Sequence, residues 1–188
     1  MKIFGAIVIV LLVIGVLVGG WFIGTRNTLV GMDENIKGNW AQVENQMQRR
    51  YDLIPNLVNS VKGYAKHEKD IFTQIAEARS KLSGASSVGD KIKASNALEG
   101  TLSRLLMVVE NYPNLKADQS FARLMDELAG SENRLAVARK DYNEAVQGFN
   151  KTIRMFPASI VAAISHFVSA DYFQTPEAAK TAPSVQFE

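Results

Sequence analysis

FARLMDELAGSENRLAVARKDYNEAVQGFNKTI, residues 121–153, decides the fold. Phe121, Leu124, Leu128, Leu135, Ala138, Tyr142, Ala145, Phe149 and Ile153 return at steps of three and four, with Ser131 in the small position between Leu128 and Leu135. A helix turns once in about 3.6 residues, so this spacing lines one face with apolar side chains. A stripe kept up this long favours near-parallel packing of coiled-coil type against other helices. Phe156-Pro157 ends the segment, because proline pushes the residue before it out of helical geometry. Ala158 to Val168 reads as a short apolar helix.

The same period recurs upstream. Ile36, Trp40, Val43, Met47, Ile54, Leu57, Val61 and Tyr64 form a stripe on a helix from Leu29 to Ala65, with Arg50 on the same face. Pro55 lies inside it, and the lost backbone hydrogen bond predicts a kink near Asp52 to Ile54. A second helix, starting at Lys66 or Glu68 and ending at Leu82, carries Ile71, Ile75, Ala78 and Leu82. SGASSVG, residues 83–89, is a loop by composition. A third helix runs from Asp90, read as its N-cap, to Glu110, and carries Ala94, Leu98, Leu102, Leu105 and Val109. NYPN, residues 111–114, ends it. No strand pattern of useful length interrupts these segments. The predicted fold is all-α: one N-terminal transmembrane helix, then an antiparallel bundle of long helices.

The transmembrane assignment rests on Ile3 to Ile23, a run without a charged residue. A helix crossing a bilayer core of about 30 Å needs about 20 apolar residues. Trp21 and Phe22 stand where an interfacial aromatic belt belongs. The run is longer than a signal-peptide core and no small-x-small cleavage pattern follows, so it reads as a retained anchor. Gly15 and Gly19 form a small-xxx-small step, a weak dimer signal. The resulting division is an anchor over 1–27, a bundle over 28–173 and an irregular tail over 174–188, whose PSVQF end is apolar enough to dock. Lys2 and Arg26 flank the span almost evenly, so orientation is open under the positive-inside rule.

Bulk properties narrow the function. The 188-residue chain has a formal net charge of +2, and without a basic stripe there is no electrostatic case for nucleic acid. It has no cysteine, which excludes disulfides, thiolate metal sites, cysteine nucleophiles and a lipid-modified cysteine.

WAQVENQMQRRYDLIPNLVNSVKGYAKHE at residues 40–68, AEAR at 76–79, YPNLKADQSF at 112–121, FPASI at 156–160 and the closing PSVQF together resemble the LemA family. The densest part is the RRxDLIPNLVxxVKGYAxHE run from Arg49 to Glu68. The resemblance covers essentially everything after the anchor. It implies a helical bundle behind an N-terminal membrane anchor, no known catalytic activity and a molecular role that is unsettled. Some members carry a lipoprotein-type cysteine, which places their bundle outside the cytoplasmic membrane. This chain departs from them there, so that placement, preferred here, is only an analogy, and a cytoplasmic bundle stays open.

Chemistry-bearing residues are few. His67 and His166 are the only histidines, and no metal-ligand spacing surrounds them. Neither a phosphate loop nor a nucleophile elbow is present. No cofactor, metal, catalytic residue or small-molecule substrate is therefore expected. Asn150-Lys151-Thr152 matches a glycosylation sequon but falls within a helix, where it reads as coincidence. Arg50 on an apolar stripe needs a partner, because an unpaired buried charge is costly. Glu132 or Glu127 on the last long helix could pair with it or with Arg49. Trp40, Tyr64, Tyr142 and Phe149 read as core aromatics. Arg50, Asp52, Pro55, Asn56, His67 and Glu68 are the candidate structural or partner-facing residues.

These readings add up to a non-enzymatic, single-pass scaffold or adaptor of the bacterial cell envelope. Its expected partners are the lipid bilayer, through Ile3 to Ile23, and further copies of itself or other membrane proteins. The alternative is a membrane-linked sensor that passes a signal along the helix joined to its anchor.

Overall fold

The computed structural model describes residues 2–65 and 67–174. Among these residues every regular element is a helix: α1 (Lys2–Tyr64), α2 (Lys69–Gly84), α3 (Val88–Val109), α4 (Pro113–Lys116), α5 (Gln119–Arg154) and α6 (Ala158–Ile164). The all-α expectation holds. The expected docking of PSVQF lies outside the described residues, as does nearly all of the tail.

The apolar run and the first bundle helix are one element. α1 continues from the run through Pro55 to Tyr64. Two other boundaries differ from the sequence reading. Ser87, not Asp90, caps α3: its hydroxyl oxygen accepts from the Asp90 backbone N–H at 3.0 Å and donates to the Asp90 carboxylate at 2.6 Å. The acidic residue thus sits in the first turn, where it also complements the helix dipole. The last helix stops at Ile164 rather than Val168. His166 adopts φ 57°, and the Phe167 N–H returns to the Ala162 carbonyl at 3.0 Å. A left-handed residue just past a helix closes it in this way.

The chain divides into two compact units. The first comprises residues 41–141 with Phe173 and Gln174. Its core joins Ile54, Leu57 and Val61 of α1, Ile71 and Ile75 of α2, Leu98, Leu102 and Leu105 of α3, Leu115 of α4, and Phe121 and Leu128 of α5. Each such side chain, fully buried, stabilises the fold by about 1.5–3 kcal/mol relative to exposure. Within this unit Tyr64 meets Asp118 and Arg50 meets Glu132. Fourteen residues back along α1 match fourteen forward along α5, so the two run antiparallel. Tyr64 is no core aromatic: it is 44% exposed and reaches Asp118 only with its hydroxyl, at 3.2 Å.

The second unit comprises residues 2–40 and 142–172. Leu29 and Ile36 of α1 are buried, as are Tyr142, Val146, Phe149 and Ile153 of α5 and Val161 and Ala162 of α6. Val146 takes the inward place the periodicity gave to Ala145. Trp40 packs on Tyr142 with ring centroids 5.3 Å apart. The chain after α6 returns along α5 as a strap. Asn150 holds it from both sides, donating to the Ala170 carbonyl and accepting from the Ala170 N–H, each at 2.9 Å. The Tyr142 hydroxyl donates to the Asp171 carbonyl at 2.8 Å. Among the described residues, no side chain of α1 before Leu29 is buried. The large side chains from Ile3 to Val18 are 40–79% exposed, and the most apolar 18-residue window has mean hydropathy 3.0. Water does not sustain such a surface, whereas a bilayer does.

Candidate functional site

The first unit holds a closed ring of four charges drawn from three helices. Arg50 of α1 hydrogen-bonds the Glu132 carboxylate of α5 and stands 4.0 Å from Glu99 of α3. Arg139 of α5 lies 3.2 Å from Glu99 and 3.8 Å from Glu132. Each carboxylate therefore sees both guanidiniums, and the ring is neutral. The arginine side chains are 11% and 16% exposed and the carboxylates about a third exposed, which places the ring at the edge of the core. Arg139 also lies 4.5 Å over the Phe173 ring, a cation–π contact that adds to its fixation. The Nε atoms of both arginines are buried without a hydrogen-bond partner. The guanidiniums are thus held by position and charge rather than by complete hydrogen bonding.

Helix register explains the convergence. Arg50 replaces an apolar residue on the α1 stripe. Glu99, Glu132 and Arg139 each follow a buried stripe residue by one position: Leu98, Ser131 and Ala138. Such places border the core, so a long side chain rooted there reaches its edge. Arg50 was legible as a break in the pattern, and Glu132 as a carboxylate within reach. Glu99 and Arg139 carried no signal, since a charge beside a stripe looks like an ordinary solvated residue.

The other candidates do not join this ring. Asp52 and Asn56 lie one turn apart on the exposed face of α1, where Asp52 accepts from Gln48 at 2.8 Å. Pro55 is half-buried between them. His67 is exposed in the turn after α1, and Glu68 beside it accepts from the Tyr112 hydroxyl at 3.3 Å. That carboxylate and partial burial hold the Tyr112 phenol above its ordinary pKa, burial being the larger cause. No group of three or more metal-ligating side chains occurs among the described residues. Asn150 of the sequon is 5% exposed and its amide is engaged by Ala170, so in this fold it offers no free acceptor for a glycan.

A cleft of about 290 Å³ is lined by Glu44, Met47, Gln48, Tyr51, Leu82, Ser83 and Lys91, none of them a member of the ring. Lys91 and Glu44 of its lining pair with each other, and Arg79 lies 4.2 Å over the Tyr51 ring. Its lining mixes charged and polar side chains with Met47, Tyr51 and Leu82.

Sequence comparison agrees with this architecture. The model of the LemA family matches residues 39–187, which takes in the ring, the DLIPN stretch of α1 and most of the tail. Magnetosome protein MamQ 2 of Paramagnetospirillum magneticum is 31% identical over 201 residues, covering 91% of this chain and 74% of that protein. Magnetosome protein MamQ of Magnetospirillum gryphiswaldense is 26% identical, covering 82% and 66%. Protein LemA of Metamycoplasma hominis is 23% identical, covering 83% and 72%. With a family match over most of its length, and a bundle of the kind the motifs implied, the chain is a member of the LemA family.

Proposed function

We propose that the protein is a non-enzymatic, membrane-anchored helical scaffold of the bacterial cell envelope that binds further copies of itself or other membrane proteins. One observation carries this reading: α1 passes without interruption from a bare apolar run into a bundle with its own sealed core. Such a helix fixes a folded module to a bilayer. The charged side chains that converge inside the bundle bind one another, which is a structural use. Outer faces of long amphipathic helices are suited to helix–helix association. The test is the mass of the full-length protein in mild detergent after cross-linking in native membranes. A discrete oligomer or one reproducible partner is expected. A strict monomer that captures nothing overturns the proposal.

The same continuity of α1 favours a second reading, a sensor that couples the bundle to the membrane. Ligand-dependent hydrogen exchange between Asp52 and Leu57 would support it. Unchanged exchange across a broad metabolite screen counts against it.

A further inference from the structure

The second unit exposes an apolar corner that its own packing leaves uncovered. Met155, Phe156, Ile160, Ile164 and Val168 are 53%, 80%, 48%, 60% and 78% exposed. Ile160 and Ile164 lie four residues apart on the outer side of α6, and Phe156 is exposed in the turn before it. The inner side is apolar too, since Val161 and Ala162 are buried. A helix apolar all round is not designed for contact with water. Large apolar side chains exposed so close together in the chain mark an interaction surface.

Register indicates what covers it. Within this unit α1 and α5 run antiparallel: Trp40 packs on Tyr142, and the Met32 methyl reaches 3.6 Å from where a Cβ on Gly148 would stand. From that contact, nine residues along α1 lead to Ile23, the end of the apolar run. Eight residues along α5 and its C-terminal turn lead the same way to Phe156. At about 1.5 Å per residue the two distances are about 13 and 12 Å. Phe156 thus stands about level with the point where α1 leaves the apolar run, near which the sequence carries Trp21 and Phe22.

Charge points the same way. Between Trp21 and Met32, and between Gly148 and Ala170, the formally charged residues are Arg26, Lys151 and Arg154, with no acid among them. All three are exposed. Apolar side chains flanked along the chain by cations suit the headgroup layer of an anionic bilayer.

We propose that the α5–α6 corner is a second membrane contact: Phe156, Ile160 and Ile164 insert into the interface of the bilayer that α1 crosses, while Arg26, Lys151 and Arg154 meet lipid phosphates. This rests on reading α1 as a membrane span. Two attachments on one module, one transmembrane and one interfacial, restrict its tilt against the membrane plane.

The cysteine-free sequence allows single-site labelling of the full chain. Four variants, Leu12→Cys, Phe156→Cys, Ile164→Cys and Val137→Cys, carry an environment-sensitive fluorophore in phosphatidylcholine–phosphatidylglycerol vesicles. Lipids spin-labelled near the headgroup serve as quenchers. The expected result is blue-shifted, lipid-quenched emission at positions 156 and 164, burial at position 12, and water-like emission at position 137. Lipid contact at 12 but not at 156 or 164 overturns the second contact and leaves the span intact. Emission at 156 that is shielded but unquenched by lipid also overturns it, since a protein then covers the corner. Absence of lipid contact at 12 defeats the span, and the inference with it.

Discussion

Arg50 occupies a position where the α1 stripe calls for a hydrocarbon, and its guanidinium is tied to Glu132, with Glu99 within ion-pair distance. Removing one member of a partly buried ring leaves the others under-compensated. Arg50→Met should therefore lower stability by about 1–3 kcal/mol, between the exposed and the buried limits for ion pairs, read by thermal melting in mild detergent. The double change Arg50→Met with Glu132→Leu should recover much of that loss, because matched apolar pairs replace buried ion pairs well. A double variant no better than the single one would show that the ring does more than satisfy a charge. Asn150 offers a second test. Asn150→Ala leaves the N–H and carbonyl of Ala170 without their partner, at a cost of about 1–3 kcal/mol. The faster hydrogen exchange should centre on Ala170; unchanged protection there would mean that the strap is held by its apolar contacts alone. A lone charge on a stripe announces itself in the sequence, as Arg50 did. Asn150 did not, since a polar residue next to Phe149 looks like the solvent margin of a helix. Its partner lies in irregular chain that has no period to read.

The long helices were legible because their stripes are long. Phe121, Leu128, Leu135, Tyr142, Phe149 and Ile153 are all inside, as their spacing required. The ends were less so, since they depend on individual hydrogen bonds and single torsions: Ser87 in place of Asp90 at the start of α3, and His166 rather than the chain beyond it at the close of α6. The short α4 was missed, because Pro113 at its first turn reads equally as a stop for α3. The start of α5 makes a pH-dependent prediction. The Asp118 carboxylate accepts from the backbone N–H groups of Phe121 and Ser120, at 3.1 and 2.8 Å, and from the Tyr64 hydroxyl. The Phe121 and Ser120 bonds are the main reasons its pKa lies below the ordinary 3.8. A depressed carboxylate pKa stabilises the fold fully above the unfolded value and loses that effect as pH falls through the folded value. Asp118→Ala should melt below wild type at neutral pH, with the gap closing only below about pH 4. A gap independent of pH would assign the loss to the shape of the turn rather than to the charge.

At the scale of the whole molecule, the apolar run and the first bundle helix share α1, and the charges of the ring at the core's edge pair with one another. A family assignment carried by motifs at residues 40–68 fixes the architecture and leaves the partner to experiment. The unbroken course of α1 has a consequence for assembly. Each residue of a helix turns the chain by about 100°, so one alanine inserted between Gly24 and Thr28 swings the face of the span away from the face carried by Leu29 and Ile36 by that angle. A bilayer looks the same from every direction in its plane, so a solitary molecule would not register the change. An assembly that pairs chains both inside the membrane and above it would be thrown out of phase. Four inserted residues, about 40° from a full turn, would nearly restore it. If the mass of the assembly falls with one inserted alanine and returns with four, the span and the bundle bind their neighbours as one oriented unit. If it is indifferent to both, only one of them binds.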